Sequence, residues 1–116
     1  MILEIRTYRL KPGKREEFLR LARDQSLPLL AKHGIDVVDY GPSLVDEDGA
    51  EEAYLVRAFA TLERRREQEA AFYGGDDWRH GPREAIVACI DSYHTIVIEM
   101  PEATIRAWQP ARLSAD

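Results

Sequence analysis

The sequence predicts an α+β domain of the ferredoxin-like kind, βαββαβ, with a four-stranded antiparallel sheet and helices on one face. Three observations predict it. Residues 2–10, 35–46, 52–60 and 92–100 read as strands, with side chains alternating between two faces. Helical stretches of apolar three-and-four spacing separate the first strand from the second and the third from the fourth. The second and third strands are joined only by the acidic turn Asp46-Glu47-Asp48-Gly49-Ala50, which makes them a hairpin. Strand, crossover helix, hairpin, crossover helix, strand is the split βαβ arrangement.

The first strand places Ile2, Glu4, Arg6, Tyr8 and Leu10 on one face and Leu3, Ile5, Thr7 and Arg9 on the other. Pro12-Gly13 stops it and opens a helix whose stripe is Phe18, Leu21, Ala22, Gln25 and Leu29, with Glu16, Glu17, Arg20 and Arg23 opposite. Pro28 is expected to kink or restart this helix, with Ser26 as a cap, and Gly34 to end it. Gly41-Pro42 is expected to bend or bulge the second strand. Thr61 is the natural N-cap of the next helix, where Leu62, Arg66, Glu69 and Tyr73 mark a stripe with Phe72 beside it. Gly74-Gly75 breaks that helix, Asp76-Asp77 leads a short turn carrying Trp78, and Gly81-Pro82 starts a last helix with Ile86, Cys89 and Ile90 inward.

The fourth strand is apolar on both sides, with Tyr93, Thr95 and Val97 on one and His94, Ile96, Ile98 and Met100 on the other. Helices cover one face of such a sheet, so a second copy of the chain is the expected cover of the other, giving a homodimeric α/β barrel. Residues 1–100 form the expected domain. The tail, 101–116, carries Ile105 and Trp108, which are expected to dock on the domain or on the partner subunit.

At 116 residues the chain is one domain, with 45% hydrophobic and 32% charged residues and a net charge of −5. Its arginines are interspersed with glutamates, which argues against a nucleic-acid surface or an anionic-membrane patch. Glu4 and Arg6 in the first apolar segment argue against a signal peptide, no run has transmembrane length, and a cytoplasmic location is expected. The single cysteine, Cys89, lies in an apolar run and reads as core.

The opening Glu4-x-Arg6-Thr7-Tyr8-x-Leu10-Lys11-Pro12-Gly13-Lys14 resembles the start of NIPSNAP domains. Leu27-Pro28 with Lys32-His33-Gly34 is similar to that family's first helix end. Leu62-Glu63-Arg64-Arg65-Arg66, followed by Asp76-Asp77-Trp78, is similar to its second helical region. The resemblance spans about residues 1–100 and implies a ferredoxin-like fold pairing as a dimeric α/β barrel. It implies no particular reaction, because bacterial members mostly lack an assigned activity. Relatives by architecture include cofactor-free monooxygenases, lactone isomerases and haem proteins, an analogy of fold alone.

The candidate site starts from Arg6, Tyr8 and Glu4. Arginine offers a forked contact to an anion and tyrosine a hydroxyl or a ring. The alternative is an ion-pair network at a dimer interface, with Glu4 pairing Arg6 or Arg57. His94, in the strand expected beside the first, is the candidate general base, with Arg6 and Tyr8 stabilising an enolate or phenolate oxygen; the alternative is a histidine simply hydrogen-bonded in the core. Tyr54, Tyr93 and Trp78 are candidate aromatic walls, or packing. The Arg64-Arg65-Arg66 run, set among Glu63, Glu67 and Glu69, reads as a solvated ion-pair face, with Arg66 the residue to bind phosphate if it faces the sheet. Asp76, Asp77 and His80 lie too close together in sequence to suggest a metal site, and no cofactor motif is legible. Two functions follow: a small-molecule-binding or accessory protein, and a cofactor-independent monooxygenase or isomerase of aromatic or polyketide-like substrates. A haem protein would need a histidine facing an open apolar slot.

Overall fold

A computed structural model describes residues 1–109. Its strands are β1 (Ile2–Leu10), β2 (Asp36–Pro42), β3 (Glu52–Phe59) and β4 (Ile90–Glu99), and they form one antiparallel sheet in the order β2-β3-β1-β4. The helices are α1 (Arg15–Leu21), α2 (Leu27–Lys32), α3 (Leu62–Tyr73), α4 (Asp76–Arg79), α5 (Arg83–Cys89) and α6 (Glu102–Trp108). This is the ferredoxin-like α+β architecture.

Register decides which side chains meet. Glu4 pairs with Arg57 and Val97, Arg6 with Leu55 and Thr95, and Tyr8 with Ala53 and Tyr93. Paired residues share a face, so all of these look towards α1–α5. There Tyr8 and Leu10 join Phe18, Leu21, Leu30, Phe59, Phe72, Trp78, Ile86 and Cys89 in the main core. The other face holds Leu3, Val38, Val56 and Ala58, closed by Ile105 of α6, which is fully buried. Arg106 bonds Asp36 at 2.6 Å, Trp108 Nε1 donates to Asp39 at 3.3 Å and Gln109 to the Val37 carbonyl at 2.9 Å. Residues 101–109 therefore lie on this protomer's own sheet; 110–116 of the expected tail lie outside the described residues.

Several local expectations need correction. The first helix contains a π-turn, Ala22–Ser26, between α1 and α2. A π-turn holds one residue more than an α-turn. It delays the inward stripe by one position, so Ser26 and Leu30 are buried while Gln25 is exposed. Ser26 is therefore helical, not a cap. β2 bulges between Val37 and Asp39, not at Gly41-Pro42, and ends at Pro42. Thr61 is extended and caps α3 by accepting from the Arg64 N–H at 3.0 Å. The α1 N-terminus is capped from a distance: Glu51, just before β3, accepts from the Gly13 and Arg15 N–H groups at 2.7 and 3.1 Å. Gly34 ends α2 at φ +74°, where a β-carbon would be strained.

Candidate functional site

Between the sheet and helices α3, α4 and α5 lies a cavity of about 250 Å³, lined by Arg6, Tyr8, Glu69, Tyr73, Trp78, Ile86, Ile90 and Tyr93. Tyr8, Tyr73, Trp78 and Ile86 also border a deeper apolar pocket of about 40 Å³ reached by Phe18, Ser26 and Phe72. The buried Ser26 Oγ makes no hydrogen bond.

Strand alternation puts Glu4 and Arg6 on the helix side, and α3 supplies their complement. Arg65, Glu69 and Tyr73 recur every four residues and face the sheet. Glu4 is fully buried. It accepts from Arg57 Nε at 2.8 Å, from Arg57 Nη2, and from Arg65 Nε at 2.7 Å. Arg57, also fully buried, donates its remaining amine to the Tyr73 hydroxyl at 2.6 Å. Three N–H donors on one carboxylate, fed by two arginines, make a closed unit. Glu69 is attached more loosely. Its Oε2 lies 3.4 Å from Arg57 Nη2 and 3.5 Å from Arg65 Nε, and it is buried without a hydrogen bond.

These surroundings push the two carboxyls apart. Burial works to raise Glu4, but the hydrogen bond from Glu69 and the charge and hydrogen bonds of Arg57 outweigh it and hold Glu4 down at about 2. Burial raises Glu69, and the hydrogen bond to Glu4 and the Glu4 charge add to it against Arg57 and Arg65; it titrates at about 7. The Tyr8 hydroxyl is pushed up to about 12, chiefly by burial, so it remains a donor at neutral pH. Arg6 donates Nε to Thr95 Oγ1 at 2.9 Å, and its guanidinium lies 4.9 Å from the centre of the Tyr93 ring. The cluster thus sets Arg6, Arg57 and Arg65 against Glu4 and Glu69, and its net charge is positive whether Glu69 is ionised or not.

Of the residues singled out from the sequence, Arg6, Tyr8, Glu4, Arg57 and Trp78 come together around this cavity. His94 does not. It pairs with Thr7, so it is exposed on the opposite face of the sheet and cannot serve as a base beside Arg6 and Tyr8. Tyr54 pairs with the same Thr7 and bonds Asp39 through its hydroxyl at 3.1 Å on that outer face, and it also borders the apolar pocket. The expected ion-pair network exists, but inside one protomer, with Arg57 and not Arg6 as the partner of Glu4. On α3 it is Arg65 that faces the sheet; Arg66 and Leu62 are exposed. Trp78 is buried and makes an edge contact with Tyr73, ring centres 5.4 Å apart. Cys89 is core: its thiol donates to the Ala85 carbonyl at 3.4 Å, and burial raises its pKa. Glu69, Tyr73, Arg65 and Ser26 were not singled out as site residues. Among the described residues no three His, Cys, Asp or Glu side chains are grouped to hold a metal, and no histidine lines either part of the cavity.

A ferredoxin-like sheet with an arginine- and tyrosine-lined cavity under its helices defines the class. The NIPSNAP family model matches residues 3–100, and the chain belongs to the NIPSNAP family. A NIPSNAP family protein of unknown function from Agrobacterium tumefaciens is 26% identical, with a TM-score of 0.77 over 86% of this chain and 87% of that one. An uncharacterised NIPSNAP domain protein from Burkholderia xenovorans is 20% identical, with a TM-score of 0.72 over 88% and 96%. A protein from Nitrosomonas europaea provisionally named as an antibiotic biosynthesis monooxygenase shares the fold at 18% identity, with a TM-score of 0.63 over 86% and 98%. No functionally curated protein matches the chain.

Proposed function

We propose that this NIPSNAP protein binds a small anionic molecule with an aromatic or otherwise flat apolar body, and that it does so as a cytoplasmic homodimer. The observation that carries the binding reading is the convergence of Arg6, Tyr8, Glu69, Tyr73, Trp78 and Tyr93 on one cavity whose buried and half-buried charges sum to a positive value. Arg6 commits one donor to Thr95 and presents the rest of its fork beside Tyr93, an arrangement suited to a carboxylate or a phenolate. The tyrosine and tryptophan rings offer walls for a planar body, and a cleft with a few convergent polar groups is the usual form of a small-molecule site.

The dimer reading rests on the outer face. Ile96 is 47% exposed there, beside exposed Thr7 and His94 and partly buried Ile5, and Leu44, Val45 and Trp108 expose further apolar surface towards the β2 edge. The cluster that α6 closes reaches Ile98 of β4 and leaves the stretch around Thr7, His94 and Ile96 open, a surface that a second copy would bury. No helix among the described residues is long and apolar enough to cross a membrane.

Calorimetric titration with phenylacetate, an aromatic carboxylate, tests the binding reading. One site per chain is expected, with affinity reduced at least about tenfold in Arg6→Ala. Absence of binding at millimolar phenylacetate, or equal affinity in the variant, would count against it.

A further inference from the structure

Resting on that binding site, we propose that Glu69 is a proton-transfer group and that the cavity takes enolisable aromatic oxo acids, which it tautomerises. The two carboxylates differ in how far they are satisfied. Glu4 is saturated by arginine donors and does not line the cavity, which it reaches only through those arginines and its hydrogen bond with Glu69. Glu69 lines the cavity directly and is held by longer ion contacts that leave its Oε2 without a hydrogen bond. A carboxylate that is oriented but not satisfied can accept a proton from a bound molecule.

The groups around it fit that role. Arg57 from β3 and Arg65 on its own helix fix its position, Glu4 from β1 opposes its charge, and Arg6 and Tyr8 from β1 share the cavity with it. Tyr73 on α3 and Tyr93 on β4 complete the polar lining, while α4 and α5 contribute Trp78 and Ile86, which do not titrate. The Tyr73 hydroxyl accepts from Arg57, so its own proton is available to a ligand. Burial and Glu4 bring Glu69 to about 7, where both the acid and its conjugate base are populated at neutral pH.

The step is closed and redox-neutral. The Glu69 carboxylate removes a proton from the carbon next to the ketone, and the C–H electron pair becomes the enolate C=C as the C=O pair moves to oxygen. Arg6 and the Tyr8 hydroxyl stabilise that oxygen. Glu69 then delivers the proton to the oxygen, giving the enol, or first trades it with solvent and delivers a solvent proton to the carbon, giving exchange. No oxidant or cofactor takes part.

Phenylpyruvate is the probe. In D₂O its C3 protons exchange for deuterium, which proton NMR follows, while calorimetry reports its binding separately. Wild-type protein should accelerate exchange with an inflection near pH 7. Glu69→Gln, compared with wild type at saturating phenylpyruvate and with its affinity read separately by calorimetry, should lose about 100-fold or more of the acceleration. Glu69→Asp, which keeps the base but shortens its reach, should retain a measurable part. A thermal melt of each variant separates loss of fold from loss of the base. Phenylpyruvate bound without accelerated exchange, or exchange undiminished in Glu69→Gln, overturns the proton-transfer role and leaves the binding site standing. Binding of phenylacetate but not phenylpyruvate overturns the substrate class. Failure of both ligands to bind removes the binding site and this inference together.

Discussion

Arg57 has no exposed surface, yet it carries a full charge, and what makes that tolerable is Glu4 directly across the β1–β3 ladder. Arg57→Ala would leave Glu4 buried with Arg65 alone, and we expect a loss of about 3–5 kcal/mol, measured by urea denaturation. The two coupled carboxyls also set an acid–base profile. Glu4 at about 2 lies below its ordinary 4.5, so its contribution is complete above pH 4.5 and is lost as pH falls towards 2. Glu69 at about 7 lies above its ordinary 4.5: between those values the unfolded chain releases a proton that the folded one keeps, so stability declines as pH rises through that window. The urea midpoint should therefore peak at about pH 5, and Glu69→Gln should flatten the neutral side of the curve while leaving the acid side.

Residues were legible in the sequence in proportion to how local their placement is. That Glu4, Arg6 and Tyr8 share a face follows from strand period alone. That His94 lies on the other face depends on which residue of β1 it meets, and pairing with Thr7 in place of Arg6 or Tyr8 is a one-position difference that turns the side chain over.

Elements show a different limit. α3 is charged on nearly every side, so apolar spacing does not pick out its inward face, and a stripe through Leu62 and Arg66 competes with the true one through Arg65, Glu69 and Tyr73. The signal that finds the true stripe is chemical: a strand face presenting Glu4 and Arg57 needs charged partners at four-residue spacing opposite it. The π-turn left no sequence signature beyond Pro28, and its one-residue delay is what brings Ser26 to the apolar pocket. The corner between α4 and α5 is tighter than its sequence suggests, because a β-carbon on Gly81 would stand 2.2 Å from the Asp77 carbonyl oxygen. Gly81→Ala must open that corner and shift Trp78, two residues inside it. We expect weaker phenylacetate binding together with a lowered melting temperature, read by calorimetry and thermal denaturation.

At the scale of the molecule, the order of elements alone predicted βαββαβ, and the sheet β2-β3-β1-β4 is that topology. The apolar outer side of β4 was visible in the same way. Its unequal cover was not, because nothing in the sequence shows that α6 turns back over the sheet, reaches Ile98 and leaves His94 and Ile96 open. If that open surface joins two copies, Ile96→Glu should convert a dimer of the 13.3 kDa chain into a folded monomer in sedimentation velocity, with its circular dichroism unchanged. A wild-type monomer would contradict the dimer and leave the cavity untouched, since the residues lining the cavity all come from one chain.

The central claim is that the helix side of the sheet, and not its outer face, is the binding side. A titration of the ¹⁵N-labelled protein with phenylacetate, followed by amide and indole shifts, tests it most directly. Saturable shifts are expected at Arg6, Tyr8, Glu69, Tyr73 and the Trp78 indole, with Thr7, His94 and Ile96 unmoved. Shifts confined to the outer groove around Thr7, Leu44 and Tyr54, or no shifts at all, would contradict it.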